Sequence, residues 1–467
     1  MSNHDQSPSP SKWYHRFSDP MVLIFLILVA TYLITFIVPA GSFERIQNAD
    51  GQTMVVPNSF KLLSSTMMLH PFDIFIAIPK GLKAASQYLF IVFIAGGLFH
   101  ILQQTGTLEN AIGTIVRKIG IQRSNVIIVL GTLTYGFFGV AVGFENNIAL
   151  IPVASLIAHA IGYSYLVGVA MAVGGIGIGF ALSPINPYTV GVAQKIAELP
   201  PFSGYGLRTF LVLTALLLLA HYICTRIAPM EKRLLAEKGT DQSQSLSKSL
   251  GDYSLSAHDW KILGIFLGGL VVMLIGIFAY QWYIDEIAGL FILMAILIGL
   301  AQGLSGEKIV AQMMVGASGV TAGALVIGLA ASIQIILEQA QIIDTFVYGL
   351  STLIQGIPPA FSAIISSVVQ GIINLFVPSG SGQAMITMPI LIPLADLVQL
   401  SRQLMITAFQ IGDGLTNLIV PTSGGTLAML ALGKVSYEQW LKIIMPFMIR
   451  VYLLSWAMLL VGYYLGY

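Results

Sequence analysis

The stretch FVPSGSGQAMITMPI, residues 376–390, decides how the fold is interpreted because it lies inside one of the most apolar regions of the chain. Residues 378–383 have the composition of a turn, whereas the sequence on both sides has that of a membrane helix. Lipid cannot hydrate the backbone groups that proline and glycine leave unpaired. Irregular backbone at membrane depth persists where it lines a cavity or a site, so the stretch raises the hypothesis of a functional break.

The composition is that of a membrane protein with many spans. Of 467 residues, 56% are hydrophobic and 9% are charged, whereas soluble domains carry about 25% charged residues. The chain can hold about a dozen helices of roughly 20 residues. A net charge of +1 gives no indication of nucleic-acid binding. The single cysteine, Cys224, excludes an intrachain disulfide and a cysteine-based metal site, and we expect no cofactor.

Hydropathy and polar segments divide the chain into two halves. We predict a disordered cytoplasmic tail over 1–20, a first half over 21–228, a cytoplasmic linker over 229–257 and a second half over 258–467. Clear spans are predicted at 21–40, 87–105, 205–228, 259–280, 284–304, 318–339 and 441–466. The segment 41–80 is predicted to be an extramembrane loop with a short hairpin, and 108–120 and 343–356 to be helices along the membrane surface.

The halves contain an internal repeat. Pro152 and Pro184 are 32 residues apart, as are Pro389 and Pro421, and the offset between the pairs is 237. At the same offset the matching pairs are Gly143 with Gly380, Gly175 with Gly412, Gly177 with Gly414 and Thr189 with Thr426. Counting spans from a cytoplasmic N-terminus gives the repeats opposite orientations, and Lys and Arg then favour the cytoplasmic side two to one. Inverted repeats are common in secondary transporters.

Two segments, 125–161 and 359–400, have lengths that fit neither one span nor two comfortably. A helix of 37 residues would extend about 55 Å, nearly twice the roughly 30 Å hydrocarbon core. The first segment breaks at GFENN (143–147) and the second at PSGSGQ (378–383). Each is either a re-entrant helical hairpin or a pair of ordinary spans joined by a turn in water.

The segment after each of these is broken as well, which favours the hairpins. Residues 163–195 contain SPINP and residues 402–432 contain Asp413 and the run PTSGG. Four breaks paired by the repeat can converge on one central site near mid-membrane. The predicted fold is therefore an all-α polytopic membrane protein with inverted repeats, two re-entrant helical hairpins and two broken helices.

Polar side chains at the four breaks are the candidate binding residues. Two of them are carboxylates, Glu145 and Asp413, each of which costs about 2.5–3.5 kcal/mol at the bilayer centre and so favours a role with a cation or a proton. The others are amides and hydroxyls, which can bind substrate or can satisfy broken backbone and cap helices: Asn146, Asn147, Ser183, Asn186, Thr189, Ser379, Ser381, Gln383, Asn417, Thr422 and Ser423. Helix N-termini at such breaks attract anions, and free carbonyls attract cations.

Two motifs, GFENN…ALSPINPYTVG and PSGSGQAMITMPILIPLADL…QIGDGLTNLIVPTSGGTLAML, make the chain resemble the YfcC-type branch of the C4-dicarboxylate anaerobic carrier family, in the ion-transporter superfamily. The resemblance implies a homodimer in which each protomer has a scaffold domain and a transport domain that moves as an elevator. The dimer would form through spans 21–40, 259–280, 284–304 and 318–339. Dicarboxylate members carry Ser-Asn-Thr at each hairpin tip and bind sodium there. This chain has 145–147 and 379–383 instead, which leaves ion and substrate open.

These features predict a secondary active transporter in the bacterial cytoplasmic membrane, by antiport or symport, with Na+ or H+ as coupling ion. The expected substrate is a small carboxylate-bearing solute, best an amino acid and including basic amino acids, with a C4-dicarboxylate as the alternative. A channel and a solute-sensing membrane protein are alternatives from other classes. An enzyme is disfavoured because QIGDG, residues 410–414, lacks the first glycine of the Gly-x-Gly-Asp motif of intramembrane aspartyl proteases.

Overall fold

The computed structural model describes residues 20–47, 53–63, 69–111, 114, 123–237, 253–280, 282–354 and 357–467. Three predicted features therefore fall wholly or largely outside the described residues: the tail, most of the surface helix at 108–120, and the central part of the linker.

The described part of the first half is mainly helical. Its helices are α1 (Pro20–Ile34), α2 (Asp73–Ala84), α3 (Ser86–Gln104), α4 (Ser124–Val142), α5 (Ile151–Ala160), α6 (Tyr165–Ala181), α7 (Val192–Ile196), α8 (Tyr205–Tyr222) and α9 (Ala228–Glu237). A 3₁₀ segment spans Glu145–Leu150, and π-helical segments span Pro187–Gly191 and Ile223–Ile227.

The described part of the second half is helical. Its helices are α10 (Ala257–Tyr280), α11 (Ile284–Ala301), α12 (Gly306–Ser318), α13 (Thr321–Gln339), α14 (Ile343–Thr352), α15 (Pro359–Asn374), α16 (Gly380–Leu397), α17 (Arg402–Thr416), α18 (Gly424–Leu432) and α19 (Tyr437–Tyr464).

In the described part of the chain, seven helical stretches are long and apolar enough to cross a membrane: Ser86–Gln104, Ser124–Ala141, Tyr205–Leu234, Ala257–Ile277, Ile284–Ala301, Thr321–Gln339 and Tyr437–Tyr464. The chain is an integral multi-pass membrane protein. The first predicted span, 21–40, is shorter than expected because α1 ends at Ile34 and a turn precedes strand Gly41–Ser42. Turn hydrogen bonds continue from Thr35 to Val38, and Pro39 disfavours helical conformation in Val38, the residue before it.

Matching positions of the two halves have matching neighbours. Helices α3 and α13 begin and end at a constant offset of 235 residues. A Cβ built on Gly175 would lie 2.8 Å from the Thr132 carbonyl oxygen, and one on Gly412 would lie 2.2 Å from the carbonyl oxygen of Ser367, 235 residues after Thr132. Thus α4 packs on α6 as closely as α15 packs on α17.

The helices form two groups by their contacts. One group contains α1, α2, α3 and α10 to α13, in which each helix packs on at least one other member. The second contains α4 to α8 and α15 to α19, also mutually packed. The 3₁₀ segment contacts α3 and α11, and α18 contacts α3 and α13, so these two elements join the groups.

The loop between α1 and α2 holds two pairs of short antiparallel strands. Strand β1 (Gly41–Ser42) pairs with β4 (Lys61–Leu62), and β2 (Arg45–Gln47) pairs with β3 (Thr53–Val55). The carboxylate of Asp344 on α14 holds this loop, because it accepts hydrogen bonds from the Phe43 amide at 2.9 Å and from Arg45 Nη2 at 2.8 Å. The Asp344 side chain is 5% exposed, so water cannot replace these donors.

Replacing Asp344 by alanine is expected to destabilise the protein by about 1.5–3 kcal/mol, because buried hydrogen bonds to a charged group contribute that much. The measurement is the melting temperature of the purified full chain. Glu44→Ala is the matched control, since Glu44 pairs with Lys61 on the same loop but both side chains are largely exposed. Equal melting temperatures for the two variants would contradict the anchoring role.

Candidate functional site

The first break lies between α4 and the 3₁₀ segment. Helix α4 ends at Gly143, whose φ of 101° suits only glycine. Asn147 Nδ2 donates to the Gly143 carbonyl at 2.6 Å and to the Phe138 carbonyl at 3.3 Å, so its amide satisfies the end of α4. Asn146 is buried beside it, whereas the Glu145 side chain is only half-buried. We call residues 143–147 tip 1.

The second break, residues 375–383, lies between α15 and α16, and we call it tip 2. Ser379 caps α16, where its Oγ accepts from the Gly382 amide at 3.3 Å. Gln383 is buried and its Nε2 donates to Gln370 Oε1 on α15 at 2.7 Å, which ties the two helices together. Ser381 is half-buried in the first turn of α16. Tip 2 therefore presents a helix N-terminus.

The third break, residues 182–189, follows α6. Asn186 is its main organiser: Oδ1 accepts from the Tyr188 amide at 2.9 Å and the Thr189 amide at 3.3 Å. Ser183 Oγ donates to the Val140 carbonyl at 3.2 Å, so this hydroxyl satisfies a backbone group. Thr189 Oγ1 is buried and has no hydrogen-bond partner among the described residues. Of the Ser183 and Thr189 hydroxyls at this break, that of Thr189 is therefore the one that can bind a ligand.

The fourth break, residues 417–423, follows α17. The Asn374 side chain, on α15, donates through Nδ2 to the Asp413 carbonyl at 2.9 Å, to Thr416 Oγ1 at 2.8 Å and to Asn417 Oδ1 at 2.9 Å. Thr422 Oγ1 donates to the Leu375 carbonyl at 2.9 Å. Ser423 caps α18 by accepting from the Thr426 amide.

Asp413 is the carboxylate that these bonds leave unsatisfied. It is 0% exposed, and neither carboxylate oxygen has a hydrogen-bond partner in the described part of the chain. A Cβ built on Gly380 would lie 3.3 Å from Asp413 Oδ2, so the carboxylate lies beside the N-terminus of α16. That end of the helix dipole favours a negative charge. The ion pairs of the described residues are formed elsewhere, by Arg45, Lys61, Arg402 and Lys442.

All four breaks lie together. A Cβ on Gly380 of tip 2 would be 2.5 Å from Thr189 Cγ2, and one on Gly425 would be 3.4 Å from Glu145 Cγ of tip 1. The carboxyl groups of Glu145 and Asp413 interact electrostatically. The structure thus brings Glu145, Thr189 and Asp413 to one place. It assigns backbone partners to the side chains of Asn147, Ser183, Asn186 and Thr422.

Several residues of this region escaped sequence reasoning. Asn374 stands just before the turn at 378–383 in an apolar run, and that isolated amide was a usable signal. Tyr88 and Tyr283 interact electrostatically with Glu145, although they are far from it in sequence. No sequence pattern indicated that these tyrosines belong to the site. No group of three or more metal-ligating side chains occurs among the described residues.

Comparison with known proteins assigns the family. The sequence model of DcuC, described as the C4-dicarboxylate anaerobic carrier, matches residues 17–464. The chain belongs to the C4-dicarboxylate anaerobic carrier family. Over 517 aligned residues it is 28% identical to YfcC of Escherichia coli (strain K12), whose name is that of a proposed basic amino acid antiporter, and the alignment covers 100% of both chains. A protein of Haemophilus influenzae is 26% identical over 97% of this chain and 98% of its own length.

Solved transporter structures also align with this member of the C4-dicarboxylate anaerobic carrier family. The YdaH transporter of Alcanivorax borkumensis aligns with 96% of this chain and 99% of its own at 16% identity, with a TM-score of 0.42. MtrF of Neisseria gonorrhoeae, titled as one of a class of antimetabolite efflux pumps, aligns at 17% identity over 95% of both chains, with a TM-score of 0.42. The family assignment makes the chain a membrane transporter.

Proposed function

We propose that the protein is a secondary active transporter that moves a small carboxylate-bearing solute, best an amino acid and including antiport of basic amino acids, across the bacterial cytoplasmic membrane. Na+ or H+ is the coupling ion, and the N-terminus is cytoplasmic. The observation that carries the proposal is Asp413, a fully buried carboxylate without a partner among the described residues, where four helix breaks meet. An uncompensated buried charge is costly, so it favours a function for this residue.

Both the carboxylate and the ammonium group of an amino acid find a complementary charge around Asp413. The N-termini of α16 and α18 lie at the second and fourth breaks, and their dipoles can hold a substrate carboxylate. The carboxylates of Glu145 and Asp413 can hold an ammonium group or the coupling ion. A C4-dicarboxylate, which the family's description favours, would place two negative charges beside two more and so would need bound cations.

The elevator mechanism is supported by the two groups of helices. The group of α1 to α3 and α10 to α13 corresponds to the proposed scaffold and dimer interface, and the group that carries the four breaks corresponds to the transport domain. Reciprocal contacts support inverted repeats: a Cβ on Gly177 would meet Leu418, and one on Gly414 would meet Ala181, each pair being the other at the offset of 237. Contacts across the groups come mainly from the 3₁₀ segment that begins in tip 1 and from α18, which packs on α3 and α13.

The test is reconstitution of the full chain in liposomes with counterflow and gradient-driven uptake. We expect saturable exchange of an amino acid that depends on a sodium or proton gradient. Succinate and the common neutral, acidic and basic amino acids should be compared side by side, each with and without sodium. Exchange of succinate without any amino acid would replace the proposal by the dicarboxylate alternative, and non-saturating flux would indicate a channel.

A further inference from the structure

Three tyrosines lie near Glu145, on elements of both groups of helices. Tyr88 lies on α3, Tyr283 immediately precedes α11, and Tyr188 lies in the π-helical segment after the third break. Each of the three interacts electrostatically with Glu145. Two of them therefore belong to the proposed scaffold, whereas Tyr188 and Glu145 belong to the group that carries the breaks.

Glycines let the rings and the carboxylate border the same space. The Tyr88 ring lies 3.3 Å from the position of a Cβ on Gly424, and the Tyr188 ring lies 3.5 Å from that of a Cβ on Gly143. Gly143 is two residues before Glu145, and Gly424 precedes Gly425, which Glu145 itself contacts. Both rings thus lie within about van der Waals distance of a Cβ position on the backbone next to Glu145 or next to the residue that it contacts.

A hydrogen bond next to Tyr88 and Tyr283 links the two scaffold helices of this cluster. Gln87 Nε2 donates to Asp285 Oδ2 at 3.1 Å, which ties the start of α3 to the start of α11. Tyr88 and Tyr283 also interact with each other. Even so, Tyr283 is 37% and Tyr188 43% exposed, and Glu145 is half-buried, so a small molecule can reach the rings and the carboxylate.

We propose that Tyr88, Tyr188, Tyr283 and Glu145 form the subsite for a cationic group of the substrate, the side-chain ammonium or guanidinium of a basic amino acid. This inference rests on the proposed transport function and adds the residues that select among amino acids. Glu145 has no basic partner among the described residues, and Asp413 adds a second negative charge nearby. Aromatic faces attract an organic cation through the ring quadrupole, whereas a bare metal ion prefers oxygen ligands.

Tyr88 and Tyr283 lie in the scaffold, whereas Tyr188 and Glu145 lie in the group that carries the breaks. The static group contributes directly to selectivity, because Tyr88 and Tyr283 reach the cation only while tip 1 contacts α3 and α11. Changing a scaffold tyrosine should therefore alter the preference for charged over neutral substrates without removing the binding site for the amino acid itself.

Binding of lysine and of norleucine to the purified full chain tests this, because the two differ by the side-chain ammonium. Tyr283→Leu is expected to weaken lysine binding about tenfold, as for loss of a partly desolvated cation–π contact, and to leave norleucine binding unchanged. Tyr283→Phe keeps the ring and should bind lysine within about twofold of the unmodified chain. Tyr280→Leu is the matched control, since Tyr280 is 72% exposed at the end of α10, three residues away.

Several results would overturn the subsite. These are equal losses for lysine and norleucine in Tyr283→Leu, a Tyr283→Phe variant as weak as Tyr283→Leu, or unchanged lysine binding in both Tyr283→Leu and Tyr88→Leu. Equal affinity of the unmodified chain for lysine and norleucine would also overturn it, while leaving amino acid transport intact. Binding of neither compound would overturn the proposed function together with the subsite.

Discussion

Asp413→Asn is expected to abolish coupled transport, with a loss of gradient-driven uptake on the order of 100-fold. Asparagine keeps the shape of the side chain and removes its charge, and hydrogen bonds or contacts of a charged group contribute about 1.5–3 kcal/mol. Folding should not suffer, because the Asp413 carboxylate is buried without a partner among the described residues and its charge is costly there. We expect the melting temperature to be unchanged or higher. Uptake in liposomes and thermal unfolding of the same preparation measure the two effects.

Asp396→Asn is the matched control for the loss of a carboxylate. Asp396 lies near the end of α16, is largely exposed and pairs with Arg402 at 2.7 Å, so its neutralisation should leave uptake near its original rate. Loss of stability in Asp413→Asn together with retained ion dependence of uptake would show that Asp413 is structural. The site would then have to be sought elsewhere.

Gly412→Ala is expected to have the largest effect on folding. The added Cβ would lie 2.2 Å from the Ser367 carbonyl oxygen and 2.7 Å from Gln370 Cβ, so α17 and α15 must move apart. Overpacking of this kind costs about 1–3 kcal/mol and occasionally more. Moving α15 also displaces Asn374, whose amide holds the Asp413 carbonyl and Thr416. The measurements are the yield of monodisperse protein after solubilisation and its melting temperature.

Gly349→Ala provides the comparison, because Gly349 is an exposed position of α14 with nothing within 4 Å of its added Cβ. Alanine is the better helix former by about 1 kcal/mol, so this variant should be as stable as the unmodified chain or slightly more so. Gly175→Ala, at the matching position of the first half, should fall between the two since its closest contact is 2.8 Å. Equal stability of Gly412→Ala and Gly349→Ala would contradict the close packing of α15 on α17.

The sequence by itself determined the membrane class, the positions of the helix breaks and the family. These depend on local chemistry: runs of apolar residues predict spans, and clusters of proline and glycine predict where helices stop. Helix α15 ends at Asn374 and α16 begins at Gly380, inside the stretch 378–383, and α4 ends at Val142 and the 3₁₀ segment begins at Glu145, inside the stretch 143–147. The first span was overestimated because its apolar residues continue past Ile34, where the helix ends.

Only the tertiary structure decided which of these elements meet. Tip 1 contacts Tyr188 of the third break and Gly425, which follows the fourth break. Tip 2 contacts Thr189 of the third break and Thr422 of the fourth. It also decided that the side chains of Asn147 and Asn186 hydrogen-bond to backbone groups, whereas the Asp413 carboxylate has no hydrogen-bond partner among the described residues. These outcomes depend on how helices more than two hundred residues apart pack against each other, and neither periodicity nor composition carries that information, because both describe a helix without its neighbours.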